Sequence, residues 1–326
     1  PKLGERIPIV KRVVHVGLEE SLMLDTTLAF VEGIRKGFFR GEGESLKPDE
    51  QGAFEDWLQL LSVALPQEWG IHELIDEMLT RKRFAGKSAK NMGAILKDHA
   101  PKRRPYSPSC SNTAIPFNCG FWKLLHTVTV GIAEHKGGLN LIADGTLHVN
   151  ARTFTPVEAA GVIRNYMEAF FPCPVCGGHF VKQYDDCSYL DRCLRLAEDA
   201  STASSADWKE LAKWLWEFHN AVSLRVLHED ADRKRKNGFR NKFSTPEQGP
   251  GKASVMDEVS VLWPDVDSCI KCFDSDGGWD EDAVFLHLEA QYWPASTPDP
   301  ATARRLRLDE ELDPTGSGLT MVLVAL

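Results

Sequence analysis

Apolar residues recur at helical spacing along most of this 326-residue chain. The first such stripe covers residues 25–39, the second 49–64 and the third 71–78, each with apolar positions three and four residues apart. The same pattern returns at 121–135 and at 208–227. No long run alternates apolar and polar residues, as a half-buried strand would. The pattern therefore predicts an all-α fold.

Local signals show where helices begin and where the chain changes domain. Thr155, Pro156 and Glu158 form a capping-box signal that opens a helix, and Pro172 stops it after Phe171. A connector rich in Lys, Pro and Ser separates two helical halves. We therefore expect a linker at 1–13, a helical domain at 14–101, a second helical domain at 102–294 with an exposed loop at 229–255, and a tail at 295–326.

Composition and charge exclude several classes of protein. Hydrophobic residues make up 43% of the chain and charged residues 26%, which is typical of a globular protein rather than a disordered one. The 47 acidic residues outnumber the 38 basic ones, and this balance argues against nucleic-acid binding, which needs a positive face. No internal apolar run is long enough to span a membrane. The apolar residues 319–326 could form a buried tail or the start of a truncated membrane anchor.

The eight cysteines fall into four short-range pairs, which indicates disulfides in an oxidising compartment or a metal site. The densest signal is the C-x-x-C of Cys173 and Cys176. Pro174 favours the first turn of a helix, so Cys173 would lie at a helix N-terminus, where the dipole stabilises a thiolate. Zinc is the competing interpretation, with Cys187 and Cys193 completing a four-sulfur site. The motif alone leaves both open.

Two flanking motifs bear on this choice. Trp122 and His126 precede the C-x-x-C with the spacing W-x-x-x-H, and the sequence H-N-x-V begins at His219 beyond it. In this order around F-P-C-x-x-C, the motifs resemble those of the Erv/ALR family of flavin-dependent sulfhydryl oxidases. That resemblance implies an Erv-type helical bundle that binds FAD.

The chain resembles one branch of that family, the quiescin-sulfhydryl oxidases, over roughly residues 14–275. Trp263-Pro264 and the second C-x-x-C, Cys269 and Cys272, match that branch. Residues 14–100 are similar to its pseudo-Erv region, a degenerate copy that packs on the true Erv domain in place of a second subunit. The resemblance therefore implies a monomer with a pseudo-dimeric helical core.

The resemblance also assigns the cofactor site, and no metal is expected. The residues that match FAD-contacting positions are Trp122, His126, His219, Asn220, Val222, Ser223, Arg225 and Trp263. Ser223 stands where the family has Asn, which implies a shorter or replaced contact. Arg225 would lie near the cofactor phosphates as a fixed positive charge.

The resemblance implies a thiol oxidase that turns dithiols into disulfides and reduces oxygen to hydrogen peroxide. Cys176 would lie against the flavin, and Cys173, the more accessible cysteine, would exchange with dithiols. The other cysteines are expected to form structural disulfides: Cys110 with Cys119 and Cys269 with Cys272 by resemblance, and Cys187 with Cys193 as a local pair.

The resemblance extends to partners and location. In the family, a thioredoxin-like domain relays electrons from client proteins, and this chain carries no C-G-H-C motif of that domain. A place in the secretory pathway, or secretion, is expected. The alternative is a zinc-binding, cysteine-rich interaction module without redox turnover.

Overall fold

A computed structural model of the chain describes residues 16–41, 43–100, 104–147, 151–236 and 255–293. Those residues form helices and no β-strand, which confirms the all-α prediction. The α-helices are α1 (Val16–Gly37), α2 (Pro48–Ala64), α3 (Ile71–Thr80), α4 (Lys82–Ala85), α5 (Ala89–His99), α6 (Pro108–Ser111), α7 (Pro116–Glu134), α8 (Leu139–Ala143), α9 (Pro156–Phe170), α10 (Pro174–Asp185), α11 (Arg192–Arg195), α12 (Ser205–Lys236), α13 (Val255–Val261) and α14 (Glu281–Tyr292).

The ends of α9 follow the local sequence signals. The Thr155 hydroxyl accepts a hydrogen bond from the backbone N–H of Glu158, and the Glu158 carboxylate accepts one from the backbone N–H of Thr155. This reciprocal pair satisfies donors that the first helical turn leaves without partners. The helix ends at Phe170, just before Pro172. Residues 156–170 therefore form the helix that leads into the C-x-x-C motif.

Helix α12 corrects the predicted loop at 229–255, because it continues without a break to Lys236. Arg225 donates a 2.5 Å hydrogen bond to Glu229, one turn further along the same face. Such pairs stabilise an exposed helix, and Arg, Lys and Glu are good helix formers. The rest of the predicted loop, the linker at 1–13 and the tail from 295 on lie outside the described residues.

The two predicted halves share one hydrophobic core. Helix α1 packs on α7, and α2 packs on α9. The ring of Phe38, just after α1, stacks on Phe170 with centroids 4.0 Å apart. A Cβ on Gly37 would lie 1.7 Å from the carbonyl oxygen of Phe170, so the ends of α1 and α9 meet backbone to backbone. The first half therefore forms one wall of the bundle that carries the C-x-x-C motif.

A buried polar network also joins the halves. The Asp25 carboxylate on α1 is fully buried. It accepts a 2.7 Å hydrogen bond from the backbone N–H of Ser107, a 2.5 Å bond from the Ser107 hydroxyl and a 2.7 Å bond from the Lys123 ammonium on α7. A buried carboxylate held this way is fully paired, so the network fixes α1 against α7 and against the segment before α6.

A smaller core cluster lies where α14 packs on α7 and α12. Its buried members are Val130, Ala212, Trp216, Cys272, Val284, Phe285 and Leu288. At the edge of this contact, Glu134 of α7 shares a hydrogen bond with Glu289 of α14. Burial and the neighbouring Glu289 carboxyl raise the pKa of Glu134 to about 7, against an opposing effect of Lys209.

This carboxyl pair predicts a pH dependence of stability. A carboxyl whose pKa is raised on folding stabilises the folded state below its ordinary pKa, and that contribution is lost as pH rises through the folded value. We therefore expect the free energy of unfolding to fall by about 1–2 kcal/mol, after allowance for solvent screening, as pH rises from about 4.5 to about 7. Urea denaturation of the protein and of Glu134→Gln at several pH values measures this. In Glu134→Gln the free energy of unfolding should fall less steeply with pH over this range. If the variant shows the same pH dependence as the parent protein, that dependence comes from other groups.

Candidate functional site

The eight cysteines are paired as four local disulfides. The bonds join Cys110 to Cys119, Cys173 to Cys176, Cys187 to Cys193, and Cys269 to Cys272. Sequence reasoning left the partners of Cys187 and Cys193 open between a zinc site and a local pair. The structure has them bonded to each other, and the four-sulfur zinc interpretation is not favoured.

The Cys173–Cys176 disulfide lies at the start of α10. Cys173 is the N-cap residue, and its sulfur accepts a 3.3 Å hydrogen bond from the backbone N–H of Cys176. The first N–H groups of a helix and its dipole favour negative charge at this point. Cys173 is half-buried and Cys176 is exposed, the reverse of the accessibility expected from the sequence. The N-cap role explains the reversal, because it turns the Cys173 sulfur back onto the helix start.

Aromatic contacts connect the residues on either side of this disulfide to α7 and α12. Phe171, two residues before Cys173, contacts Phe121 of α7 with ring centroids 5.0 Å apart. Phe180, one turn after Cys176, contacts Phe218 of α12 at 4.7 Å. The next residues on those two helices are Trp122 and His219. Helices α7 and α12 therefore contact the residues that flank the disulfide, and the same two helices carry the predicted cofactor residues.

Trp122, His126 and His219 form a stacked cluster between α7 and α12. The rings of Trp122 and His219 are parallel within 9°, with centroids 3.8 Å apart. His126 Nε2 lies 3.0 Å from His219 Nδ1, which is a hydrogen bond between two imidazoles. Tyr292, the last residue of α14, stacks on His126 at 4.7 Å. The structure thus brings together residues that are 170 positions apart in the sequence.

Both histidines of this cluster are neutral at physiological pH. Burial lowers the pKa of His126 well below its ordinary value, with the neighbouring His219 as a second cause. Burial also lowers the pKa of His219 to about 4. His126 is fully buried, and its second nitrogen, Nδ1, has no hydrogen-bond partner among the described residues. A buried nitrogen without a partner is costly in a folded protein, and it marks a position where a polar ligand atom would be stabilised.

Trp263 closes the cluster, and Asn220 holds it in place. The Asn220 amide donates a 2.7 Å hydrogen bond to the carbonyl oxygen of Trp263 and accepts a 3.0 Å bond from its backbone N–H. The Trp216 indole donates to the same carbonyl at 2.5 Å. The Trp263 ring then lies 5.9 Å from the ring of His126. The structure therefore shows Asn220 as a brace for Trp263, and its contact with a cofactor stays a prediction.

The remaining predicted residues follow on α12. The Ser223 hydroxyl donates a 3.1 Å hydrogen bond to the carbonyl oxygen of His219, and half-buried Val222 packs against the main core. Arg225 is half-buried, and its Nε is a buried donor without a partner among the described residues. Arg225 therefore offers a positive charge with a free donor on the helix that carries His219.

These observations test the site against FAD, the cofactor that the sequence resemblance implies. A planar ring system needs flat aromatic walls, and its phosphates need a cation with free donors. The stacked rings of Trp122 and His219, with His126 beside them, provide flat aromatic surfaces, the Arg225 Nε is a buried donor without a partner, and the His126 Nδ1 is a buried nitrogen without a partner. The residues present therefore fit FAD.

Sequence reasoning missed Tyr292. Nothing in the sequence indicates that Tyr292, the last residue of α14, contacts His126, which lies far upstream. The same burial that lowers the pKa of His126 raises the pKa of Tyr292, so its phenol stays protonated.

The chain is similar to known sulfhydryl oxidases. Residues 119–243 match the model of the Erv1 / Alr family. Sulfhydryl oxidase 1 of Oryza sativa subsp. japonica is 29% identical over 182 residues, which cover 54% of this chain and 26% of that protein. Sulfhydryl oxidase 2 of Mus musculus is 28% identical over 182 residues, 54% of this chain and 20% of that protein. The chain thus spans about a quarter or less of the length of these curated relatives.

A solved structure is similar over most of the chain. The sulfhydryl oxidase fragment of human QSOX1 is 19% identical and aligns over 86% of this chain and 95% of the fragment, with a TM-score of 0.54. At this identity the likeness concerns the fold. It covers more of the chain than the 119–243 family match, so it includes helices of the first half.

Proposed function

We propose that this chain, which is similar to sulfhydryl oxidases and carries a segment that matches the Erv1 / Alr family, oxidises dithiols to disulfides and passes their electrons to oxygen. The observation that carries the proposal is the helix-capped Cys173–Cys176 disulfide, whose flanking residues Phe171 and Phe180 contact the two helices that carry the Trp122–His219 stack. A zinc-binding module would need neither these stacked rings nor the unpartnered buried nitrogen of His126.

The first chemical step is exchange at this disulfide. The resemblance assigns the exchange to half-buried Cys173: a thiolate of the substrate dithiol attacks the Cys173 sulfur, the Cys173–Cys176 bond breaks, and Cys176 leaves as a thiolate. The second substrate thiol then attacks the mixed disulfide, which releases the oxidised substrate and leaves Cys173 as a thiolate. The N-terminus of α10 stabilises negative charge on Cys173 at that point. The substrate loses two electrons and two protons, and the cysteine pair gains the electrons.

The cysteine pair must then lose these electrons to complete a cycle. Bound FAD would accept them and transfer them to oxygen, giving hydrogen peroxide. Trp122 and His219 would support the ring system, and the Arg225 guanidinium would neutralise phosphate charge. His126 and His219 are uncharged, so they can offer hydrogen bonds without adding positive charge next to the ring. Asn220 and Trp216 would keep Trp263 in position.

Oxygen consumption by the purified chain tests the proposal. With dithiothreitol as substrate, we expect steady uptake of oxygen and formation of one hydrogen peroxide for each dithiol oxidised. A monothiol at the same thiol concentration should be a much poorer substrate, because it cannot resolve the mixed disulfide intramolecularly. Absence of oxygen uptake by flavin-loaded protein would contradict the proposed function.

Partners and location follow from the same proposal. The resemblance to quiescin-sulfhydryl oxidases supports a role for a thioredoxin-like relay in the oxidation of client proteins, so we propose that such a relay delivers their electrons to Cys173. The shared core of the two halves supports a monomer, since the first half occupies a face of the Erv bundle. Four disulfides fit the secretory pathway, where disulfides form and persist.

The described helices include none that is both long and apolar enough for a membrane span. The apolar residues 319–326, a candidate anchor by sequence, lie outside the described part of the chain.

A further inference from the structure

The second C-x-x-C lies next to a histidine that the proposed oxidase chemistry does not use. Cys269 precedes a 3₁₀ turn, Ile270–Cys272, that ends at Cys272 and packs against α14. One ligand atom from each of Cys269, Cys272 and His287 lies within 4.8 Å of the other two. Within the described ranges, this is the one group of three or more Cys, His, Asp or Glu residues with such spacing.

The burial of these residues makes the cluster unusual. Cys272 is fully buried, His287 is 6% exposed, and Cys269 is half-buried on the solvent side. The Nε2 atom of His287 is buried and has no hydrogen-bond partner among the described residues. A buried imidazole nitrogen without a partner is rare, and here it belongs to the group that lies against two sulfurs.

We propose that, when the Cys269–Cys272 disulfide is reduced, its two thiolates and the His287 imidazole bind a thiophilic divalent cation such as Zn²⁺. Two cysteines in a C-x-x-C turn with a histidine from a helix are a common ligand set for tetrahedral zinc. Solvent reaches the site past half-buried Cys269, so water supplies the fourth ligand. The Cα atoms of the two cysteines are 5.4 Å apart, a separation that a disulfide spans and that a shared metal ion also permits.

The reaction is balanced by a dithiol, the substrate class of the proposed oxidase. The dithiol reduces the Cys269–Cys272 bond through a mixed disulfide and leaves as an intramolecular disulfide, and the protein gains two thiols. Binding of the cation then displaces two thiol protons, forms two metal–sulfur bonds and one metal–nitrogen bond, and changes no oxidation state. In the reverse exchange a disulfide takes up the two electrons and becomes a dithiol, the Cys269–Cys272 bond forms again, and the cation is released.

Metal binding at this position would act on the wall of the cofactor site. The His287 ring lies 5.2 Å from the Trp263 ring, and Trp263 also contacts His126. The disulfide links Cys269 and Cys272 only to each other, whereas the metal would tie both to α14. The oxidised cysteine pair thus forms a local crosslink, whereas the reduced pair with its metal would crosslink the segment after Trp263 to α14.

The test uses the full chain with Cys173→Ser and Cys176→Ser, which removes the first C-x-x-C as a competing ligand. The protein is reduced with a phosphine, freed of reductant without oxygen, and titrated with Zn²⁺ and with Co²⁺, whose thiolate complexes absorb in the near ultraviolet. We expect one tight site per chain after reduction and none before it. His287→Gln should weaken Zn²⁺ binding by more than about tenfold. Replacing a residue that only orients a metal ligand already lowers metal affinity by about tenfold or more, and His287 would be a ligand itself.

Two further variants keep the result decisive. Cys269→Ser/Cys272→Ser should abolish the tight site, whereas Cys187→Ser/Cys193→Ser, the matched local pair, should leave it intact. Circular dichroism checks that each variant is folded. Failure of the reduced protein to bind Zn²⁺, or equal affinity in His287→Gln, would overturn the inference. The readout is metal binding in a chain without Cys173 and Cys176, so its failure would leave the oxidase proposal untouched.

Discussion

Replacing Cys176 with alanine should lower dithiol oxidation by at least about three orders of magnitude while the protein stays folded. The variant can form no disulfide at the start of α10, so the substrate has no bond to exchange with and the electron path ends there. Cys173, Trp122 and His219 are unchanged, so we expect the variant to keep its flavin. Oxygen consumption with dithiothreitol and the flavin content of the purified variant measure the two effects.

The matched control for this prediction is Cys187→Ala/Cys193→Ala. That double variant also removes a local, solvent-exposed disulfide, but it leaves the start of α10 intact. We expect its turnover to stay within about twofold of the parent protein, because neither cysteine touches the cluster around His219. Undiminished turnover in Cys176→Ala would instead place the exchanging disulfide elsewhere in the chain.

Replacing Asp25 with alanine should destabilise the fold by about 3–5 kcal/mol. The carboxylate is fully buried and accepts hydrogen bonds from Ser107 and Lys123. Its removal takes away the acceptor of the buried Ser107 N–H and hydroxyl, and it takes away the negative charge that pairs with the Lys123 ammonium. The effect should appear in urea unfolding as a lower midpoint with an unchanged slope. The effect is large because three donor groups, two on Ser107 and one on Lys123, depend on this one carboxylate.

Asp56→Ala provides a matched control for the same chemistry at the surface. Asp56 pairs with Arg152 across a long sequence distance, but both side chains are more than a third exposed. Exposed ion pairs contribute little, so we expect a change within about 1 kcal/mol. A similar small effect for Asp25→Ala would mean that α1 is not held to α7 through this network.

Local sequence signals predicted the helices well where the cause is local. Thr155, Pro156 and Glu158 fix the start of α9 through contacts three residues apart, and apolar spacing marks the buried face of α2. The signal failed at α12, because the charged residues that continue this helix to Lys236 are equally typical of an exposed loop. Charge composition alone does not distinguish an exposed helix from an exposed loop. Oppositely charged residues spaced one helical turn apart, such as Arg225 and Glu229, do distinguish them.

The site was predicted through motifs, and its geometry was not. The motif spacing selected Trp122, His126 and His219, and the structure brings these three rings together. Spacing says nothing about residues that join from another element, so Tyr292 and the brace between Asn220 and Trp263 were missed. These contacts depend on how α14 and the Trp263 segment pack, which is set by the tertiary fold.

The shared core gives the first half a specific role in the site. Gly37 and Phe38 meet Phe170 at the end of α9, three residues before Cys173. Closely packed protein interiors transmit small displacements. We therefore expect the position of the Cys173–Cys176 disulfide to depend on α1, which belongs to the half of the chain that holds none of the predicted catalytic residues.

An anaerobic titration of the visible absorption spectrum with a dithiol tests the central claim most directly. The account predicts a yellow protein with one flavin per chain. The exposed disulfides consume the first dithiol added, and about one further equivalent of dithiol per flavin should then bleach the flavin band. Admission of oxygen should restore the band and produce hydrogen peroxide. A colourless protein that does not take up FAD, or a bound flavin that dithiols fail to reduce, would contradict the account.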